Sequence, residues 1–261
     1  MNSSHVPAFR PPSRRQRPHF ASPEQRVHTA GAFARGASRY HDVRPGYPHE
    51  VARLCGRARL VAEVGAGTGK FTESLLNCGY RVVASDPSPD MTRVLSSWAP
   101  VPILRATAEA TALADASVDA VACAQTWHWV TVPAACTEFD RIVAPGGRVV
   151  LAWNTLDVAD PWVLRLARIM HSGDILRKGF SPEVARPWHI AQEVRLRWTQ
   201  TMQARDLFTL AATRSFWLRA SPAARNRLKE NLTWYLFEHT ALGPYDPVVL
   251  PYRTDAFALE R

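Results

Sequence analysis

Residues 61–70 read Val61-Ala62-Glu63-Val64-Gly65-Ala66-Gly67-Thr68-Gly69-Lys70. An apolar run of strand length gives way to three glycines at alternate positions, and a segment with helical spacing begins at Lys70. Glycine tolerates positive φ and leaves room for a ligand against bare backbone. A helix starting behind such a loop turns its first N–H groups toward an anionic group, for example a carboxylate. Spacing separates three kinds of loop. A phosphate-binding loop, GxxxxGKS/T, would need Gly at 64 and Ser or Thr at 71, where the chain has Val64 and Phe71. A dinucleotide fingerprint, GxGxxG, fits Gly65 and Gly67 but meets Lys70 where its third glycine belongs. What remains is acidic-x-Gly-x-Gly-x-Gly, met in full by Glu63, Gly65, Gly67 and Gly69.

Outward from this loop, short Val- and Ala-rich runs recur at 60–64, 81–85, 102–105, 118–124 and 147–153, each bounded by Gly, Pro, Asp or Ser. Helical spacing fills 70–78, 89–97 and 132–143. Strands that are apolar on both faces and alternate with helices predict a parallel sheet covered on both sides. Right-handed crossovers make that sheet doubly wound, an α/β fold whose ligands bind at the C-terminal strand ends. Beyond residue 155 the pattern predicts helices at 159–171, 205–218 and 221–238. Extended stretches at 193–202 and 247–256 can close the sheet as a final strand pair. Six of the nine tryptophans lie from Trp153 onward, which fits core packing first and an apolar substrate cavity second.

The net charge of +9 is concentrated at one end, because residues 1–40 hold seven Arg and one Glu. The body is near balance, which argues against a dedicated nucleic-acid binder. Pro7, Pro11, Pro12 and Pro18 preclude a regular helix there, so residues 1–36 are expected to be a disordered basic tail. An anion-binding arm, a targeting peptide and a misassigned start are the alternatives. Residues 37–261 form the expected domain, with a cofactor half at 37–154 and a substrate-shaping half at 155–261. Cys55, Cys78, Cys123 and Cys136 have no CxxC spacing, so buried free thiols are expected rather than zinc. No apolar run suits a membrane span or a signal peptide, which makes a cytoplasmic setting the default.

The glycine loop resembles motif I of the class I S-adenosylmethionine-dependent methyltransferases, and further positions fit. Asp86 follows Gly69 by 17 residues, at the end of the second strand. An ionised carboxylate there can accept both hydrogens of a ribose diol; a turn or helix-capping aspartate in Asp86-Pro87-Ser88-Pro89 is the plain alternative. Met91 can pack on an adenine face. In the family the loop after the third strand reads adenine, often through an Asp. Here Thr107 occupies that place, so the backbone of Ala108 and Glu109 is carried over instead. Pro145-Gly146-Gly147 resembles the turn before the fifth strand. Three further runs resemble the type 11 methyltransferase subfamily: Ser38-Arg39-Tyr40 with Arg44-Pro45-Gly46-Tyr47-Pro48, Ala124-Gln125-Thr126-Trp127-His128-Trp129, and Leu250-Pro251-Tyr252-Arg253-Thr254-Asp255. The resemblance implies a Rossmann-like, mostly parallel seven-stranded sheet. It implies S-adenosylmethionine contacts at Tyr40, Arg44, Glu63, Gly65, Ala66, Gly67, Thr68, Gly69, Asp86, Pro87, Met91, Ala108, Glu109 and Gln125. Gln125 would bond the amino acid part of the cofactor or the substrate. Tyr40 and Arg44 would fold over the site, with the guanidinium on the cofactor carboxylate or in a plain surface role.

Methyl transfer is an in-line displacement that needs alignment, and a base only if the nucleophile carries a proton. No metal is implied. His128, after the fourth strand, is the candidate base or substrate-orienting group; packing between Trp127 and Trp129 as a structural histidine is its other reading. The Asp/Asn/Ser-Pro-Pro-aromatic tetrapeptide of exocyclic-amine methylation is absent after the fourth strand. Cys123 lacks the preceding Pro of cytosine C5 methylation. A small organic acceptor methylated at O, N or C is therefore the expected substrate. A catalytically inactive cofactor-binding regulator is the alternative, and a nicotinamide-dependent oxidoreductase fits the glycine spacing less well.

Overall fold

The computed structural model describes residues 11–16, 41–172 and 176–261. Seven strands form one sheet: β1 (Leu60–Val64), β2 (Arg81–Ser85), β3 (Ile103–Leu104), β4 (Val118–Ala124), β5 (Val143–Leu156), β6 (His189–Gln203) and β7 (Pro247–Glu260). Their order is β3-β2-β1-β4-β5-β7-β6. The first five run parallel, and β7 lies antiparallel between β5 and β6. The order reverses at β1, whose neighbours are β2 and β4. That is the switch point where a crevice opens at the carboxyl strand ends.

Alternation along each strand sorts side chains onto two faces. Ala62, Val64, Val121, Cys123, Val149, Leu151, Trp153, Phe257 and Leu259 pack on one face with Phe139 and Ile142 of α4 (Val132–Ile142). Val61, Ala120, Ala122, Val150, Ala152, Ala256 and Ala258 face α1 (His49–Ala52) and Phe71 and Leu75 of α2 (Lys70–Asn77). Alanines dominate this second face, so the backbones of α1 and α2 can approach closely. A third cluster joins Leu156, Leu250 and Tyr252 to α5 (Pro161–Ile169), α6 (Asp206–Ala212) and α8 (Pro222–Thr233).

Three helix starts are written as a capping residue followed by proline. Ser88 Oγ accepts from the Met91 amide at α3 (Pro89–Ser96), Asp160 Oδ1 from Trp162 at α5, and Ser221 Oγ from Ala224 at α8. Each cap satisfies an otherwise orphaned N–H, and proline at N1 needs none.

Three expectations need correction. The helix expected over 205–218 breaks at Arg214, whose backbone is extended (φ −84°, ψ 149°), giving α6 and then α7 (Ser215–Arg219). Thr213 Oγ1 bonds the Leu210 carbonyl at 2.6 Å and ends α6 without a glycine or proline to announce it. The helix over 221–238 changes after Thr233 to a π-helical turn at Trp234–His239. Within the tail expected to be disordered, residues 11–16 lie against the body. The Pro11 carbonyl accepts from Arg168 Nη2 at 2.8 Å and that of Arg15 from the Arg177 amide at 2.7 Å. The rest of residues 1–36 falls outside the described residues. No described helix is long and apolar enough to cross a membrane.

Candidate active site

The carboxyl ends of β1, β2, β4 and β5 open into a cavity of 680 Å³. Its floor is the glycine loop, which is fastened from three sides. The amides of Gly65 and Ala66 both donate to the Ser85 carbonyl, at 2.8 and 2.9 Å. Thr126 Oγ1 donates to the Gly65 carbonyl at 3.0 Å. Trp98 Nε1 donates to the Thr68 carbonyl at 3.0 Å, and His41 Nδ1 lies 3.2 Å from the same oxygen.

All three glycines have positive φ, +73° at Gly65, +57° at Gly67 and +92° at Gly69. They do not all open space for a ligand. A Cβ on Gly65 would stand 2.3 Å from Thr126 atoms, and one on Gly69 would stand 2.4 Å from Trp98 Cζ2. Of the three, only a Cβ on Gly67 would meet nothing within 4 Å. Gly65 and Gly69 thus admit the protein's own side chains, and Gly69 does not line the cavity. The berth is one residue wide, at Gly67.

Asp86 leaves β2 toward that berth. Its Oδ2 accepts from the Gly67 amide and its Oδ1 from the Ser88 amide, each at 2.9 Å. Each oxygen has a second lone pair, so the carboxylate keeps acceptor capacity for a diol. Burial raises its pKa, and the two amides pull it back. Pro87 and the buried Met91 continue this wall, and Ala106, Thr107, Ala108 and Glu109 face the same space. The Glu109 carboxylate accepts from the Thr131 amide at 2.7 Å and so ties the loop after β3 to the start of α4.

Glu63 is 1% exposed at the base of the cavity and accepts from Thr72 Oγ1 at 2.5 Å. Burial pushes its pKa up to about 8, against the Thr72 hydrogen bond. Its carboxyl is thus largely neutral at pH 7. Thr68 Oγ1 also borders the cavity and is buried with no partner among the described residues.

After β4, Gln125 adopts positive φ (+55°) and donates through Nε2 to the Asn154 carbonyl. Asn154 in turn donates to the Gly46 carbonyl at 2.7 Å and accepts from Thr254 Oγ1 at 2.6 Å. Gln125 therefore braces β5 while lining the cavity. His128 is half-buried, lies 4.6 Å from Trp129 between ring centroids, and lines the cavity as well. Its Nδ1 is shielded without a partner among the described residues, and desolvation lowers its pKa to about 4. The imidazole is neutral at pH 7.

Arg44 reaches the cavity, yet its Nε and Nη2 bond the Thr213 hydroxyl and carbonyl at 2.9 and 2.7 Å. The guanidinium is fixed to the end of α6 rather than to the glycine loop. Tyr40 lies outside the described residues. Sequence reasoning missed Asn154, His171, Ser172 and Arg214, all of which line the cavity. They come from three distant segments, around 154, 171–172 and 214, so no local motif marks them.

A family model described as a methyltransferase domain matches residues 62–151. An uncharacterized methyltransferase of Mycobacterium tuberculosis is 38% identical over 228 residues, covering 85% of this chain and 93% of the relative. The chain belongs to the type 11 methyltransferase family. A methyltransferase-like protein of Schizosaccharomyces pombe is 28% identical over 246 residues, covering 88% of this methyltransferase and 95% of that protein. The solved structure of an Anaeromyxobacter dehalogenans protein described as a type II methyltransferase superposes with a TM-score of 0.58 at 22% identity. It covers 82% of this methyltransferase and 97% of that chain, a likeness of fold. The fold is thus Rossmann-like, and the protein is an enzyme of methyl transfer.

Proposed function

We propose that this methyltransferase uses S-adenosylmethionine to methylate a small organic acceptor. One observation carries the reading: the one open glycine of the loop, Gly67, and the Asp86 carboxylate are hydrogen-bonded to each other at the cavity wall. Bare backbone beside a buried acceptor group suits the sugar of a nucleoside. It suits a diphosphate poorly, because a buried carboxylate repels phosphate.

S-adenosylmethionine supplies an electrophilic methyl group on a sulfonium. Asp86 accepts the ribose hydroxyls, Pro87 and Met91 pack beside the base, and the backbone of Ala108 and Glu109 reads its edge. Ala66, Gly67 and Thr68 border the nucleoside, while Gly65 and Gly69 keep the loop in shape. Glu63 meets the cationic end of the cofactor, and a nearby positive charge favours its ionised form. Gln125 holds β5 in place beside the reacting end. His128 enters neutral and is free to accept a proton from an acceptor or to orient it.

Thermal unfolding with S-adenosylmethionine, S-adenosylhomocysteine, NAD and NADP tests this, because a ligand specific to the folded state raises apparent stability. The expected result is stabilisation by the two sulfur nucleosides, together with transfer of labelled methyl into an extractable product. Stabilisation by NAD alone would overturn the proposal. Stabilisation without transfer to any acceptor in extracts would favour a binding protein.

A further inference from the structure

Residues 41–47 border the cavity and are tied to the body at four places. His41 Nδ1 lies 3.2 Å from the Thr68 carbonyl, in the glycine loop. Arg44 bonds the Thr213 hydroxyl and carbonyl at 2.9 and 2.7 Å, just past the end of α6. The Gly46 carbonyl accepts from Asn154 Nδ2 at 2.7 Å, and the Tyr47 carbonyl from Ser74 Oγ of α2 at 3.0 Å. Arg44, Pro45 and Tyr47 line the cavity, whereas His41 does not. The segment is thus held firmly over 44–47, and its His41 end carries the longest of these bonds.

The oxygen that His41 meets is also held by Trp98, whose Nε1 donates to it at 3.0 Å; the two rings lie 5.3 Å apart. A carbonyl only accepts, so His41 must carry a proton on Nδ1. Burial and the Lys70 charge lower its pKa, which keeps the ring neutral at pH 7. The peptide held in this way joins Thr68 to Gly69. Glycine's freedom at φ would let that peptide flip at little steric cost, and two donors on its oxygen prevent this. The missing Cβ of Gly69 is also what admits Trp98. Thr68 lines the cavity with a buried hydroxyl that has no partner among the described residues, so the direction of its peptide decides what the wall offers beside Gly67. Trp98 follows the end of α3, and Ser88 at the start of that helix holds Asp86. Both walls of the berth therefore hang from α3, and His41 joins residues 41–47 to them.

We infer that His41 and Trp98 are positioning residues for the cofactor: together they lock the Thr68 carbonyl, and through His41 residues 41–47 become a strap that retains the bound nucleoside. Neither residue lines the cavity, so both act through Thr68. The strap opens at His41, where it is held by the longest bond, and hinges on its anchors at Thr213, Asn154 and Ser74. This rests on the methyl-transfer reading, in which the Gly67–Asp86 side of the cavity takes S-adenosylmethionine.

The experiment follows the release of methyl-labelled S-adenosylmethionine, with no acceptor present, after a chase of excess S-adenosylhomocysteine. It is run on the wild type, His41→Ala, His41→Asn and Trp98→Phe, beside the urea midpoint of each apoprotein. The expected result is a dissociation rate about fivefold or more faster in His41→Ala and in Trp98→Phe, as the loss of one hydrogen bond dictates, with the His41→Ala midpoint unchanged. His41→Asn, whose side-chain amide can donate to the same carbonyl, should return the rate to within about twofold of the wild type. Hydrogen exchange over residues 41–47 should be slowed by S-adenosylhomocysteine in the wild type and not in His41→Ala. An unchanged dissociation rate in His41→Ala, a rise that comes only with a lower apoprotein midpoint, or an asparagine that behaves as alanine would overturn the inference alone. Failure of the wild type to bind either sulfur nucleoside would instead overturn the methyl-transfer reading beneath it. His41 is half-buried, so should Trp98→Phe fail to fold, the His41 series still decides.

Discussion

The amide of Gly67 and Oδ2 of Asp86 lie 2.9 Å apart, a hydrogen bond that joins the loop after β1 to the loop after β2. Oδ1 of the same carboxylate receives the Ser88 amide at the mouth of α3. Asp86→Asn keeps the shape but places an NH2 group opposite one of these amides. A charge-assisted hydrogen bond contributes about 1.5–3 kcal/mol, so affinity for S-adenosylhomocysteine should fall by roughly one to two orders of magnitude. Calorimetry checks this, and an unchanged Kd would remove Asp86 from the binding site.

The three glycines should separate by phenotype. Gly65→Ala drives a Cβ into Thr126 and Gly69→Ala drives one into Trp98 and Leu95, so both should lower the denaturation midpoint. Overpacking costs about 1–3 kcal/mol, to which the left-handed backbone adds its own strain. Gly67→Ala meets nothing, so it should cost only about 1 kcal/mol of stability while weakening cofactor binding most per unit of stability lost. Urea titration beside a binding isotherm for each variant gives the two numbers.

Glu63 makes stability depend on pH. Its folded pKa is raised from the ordinary 4.5 to about 8, so the native state binds the proton more tightly than the unfolded chain. Stability from this group is full below pH 4.5, declines as pH rises through 8 and is flat above it. Glu63→Gln, which still accepts from Thr72, should remove that slope and stabilise the apoprotein at pH 9 by up to a few kcal/mol. Cofactor binding to the wild type near pH 7 should release a proton. Calorimetry in buffers of different ionisation enthalpy detects it.

For His128 the sign is opposite. Desolvation lowers its pKa from 6.5 to about 4, so its contribution to stability is complete above pH 6.5 and is lost as pH falls toward 4. If it takes the acceptor's proton, the acidic limb of kcat should fall near pH 4 rather than 6.5. His128→Asn should then reduce kcat by about a hundredfold. An unchanged kcat in a folded variant leaves it with its structural role beside Trp129.

Asp255 is fully buried between Arg195 Nη1 and Arg253 Nε, each at 2.7 Å. Through their other donors these arginines hold the Phe180 carbonyl at 2.8 Å and the Leu176 carbonyl at 3.3 Å. Asp255→Ala leaves the buried Arg253 guanidinium without its carboxylate, while Arg195 keeps Glu193, and should cost about 3–5 kcal/mol. Faster hydrogen exchange confined to the backbone near 176–180, preceding global unfolding, is the expected signature.

The parallel strands were legible in the sequence because burial on both faces writes a continuous apolar run. β1, β2 and β4 fall at the residues expected from that pattern. The glycine spacing likewise announced a left-handed loop, since φ preference is a local property. What stands opposite each glycine is not local. Gly65 faces Thr126, which is 61 positions away, and nothing at residue 65 encodes that. Arg214 was hidden for a related reason: the α6–α7 break that presents it comes from Thr213 rather than from glycine or proline. Local patterns outline the Gly67–Asp86 side of the cavity, and tertiary packing alone assembles the side lined by Arg214.

The placement of β7 between β5 and β6 has a consequence for synthesis on the ribosome. β6 is complete at Gln203, well before β7 begins at Pro247, and among the described residues it pairs with no other strand. A nascent chain that has emerged only as far as Tyr245 therefore carries two open edges, on β5 and on β6, until β7 bridges them. β7 acts as the keystone, so a chain cut before Pro247 presents unpaired edges on β5 and β6 to chaperones and proteases.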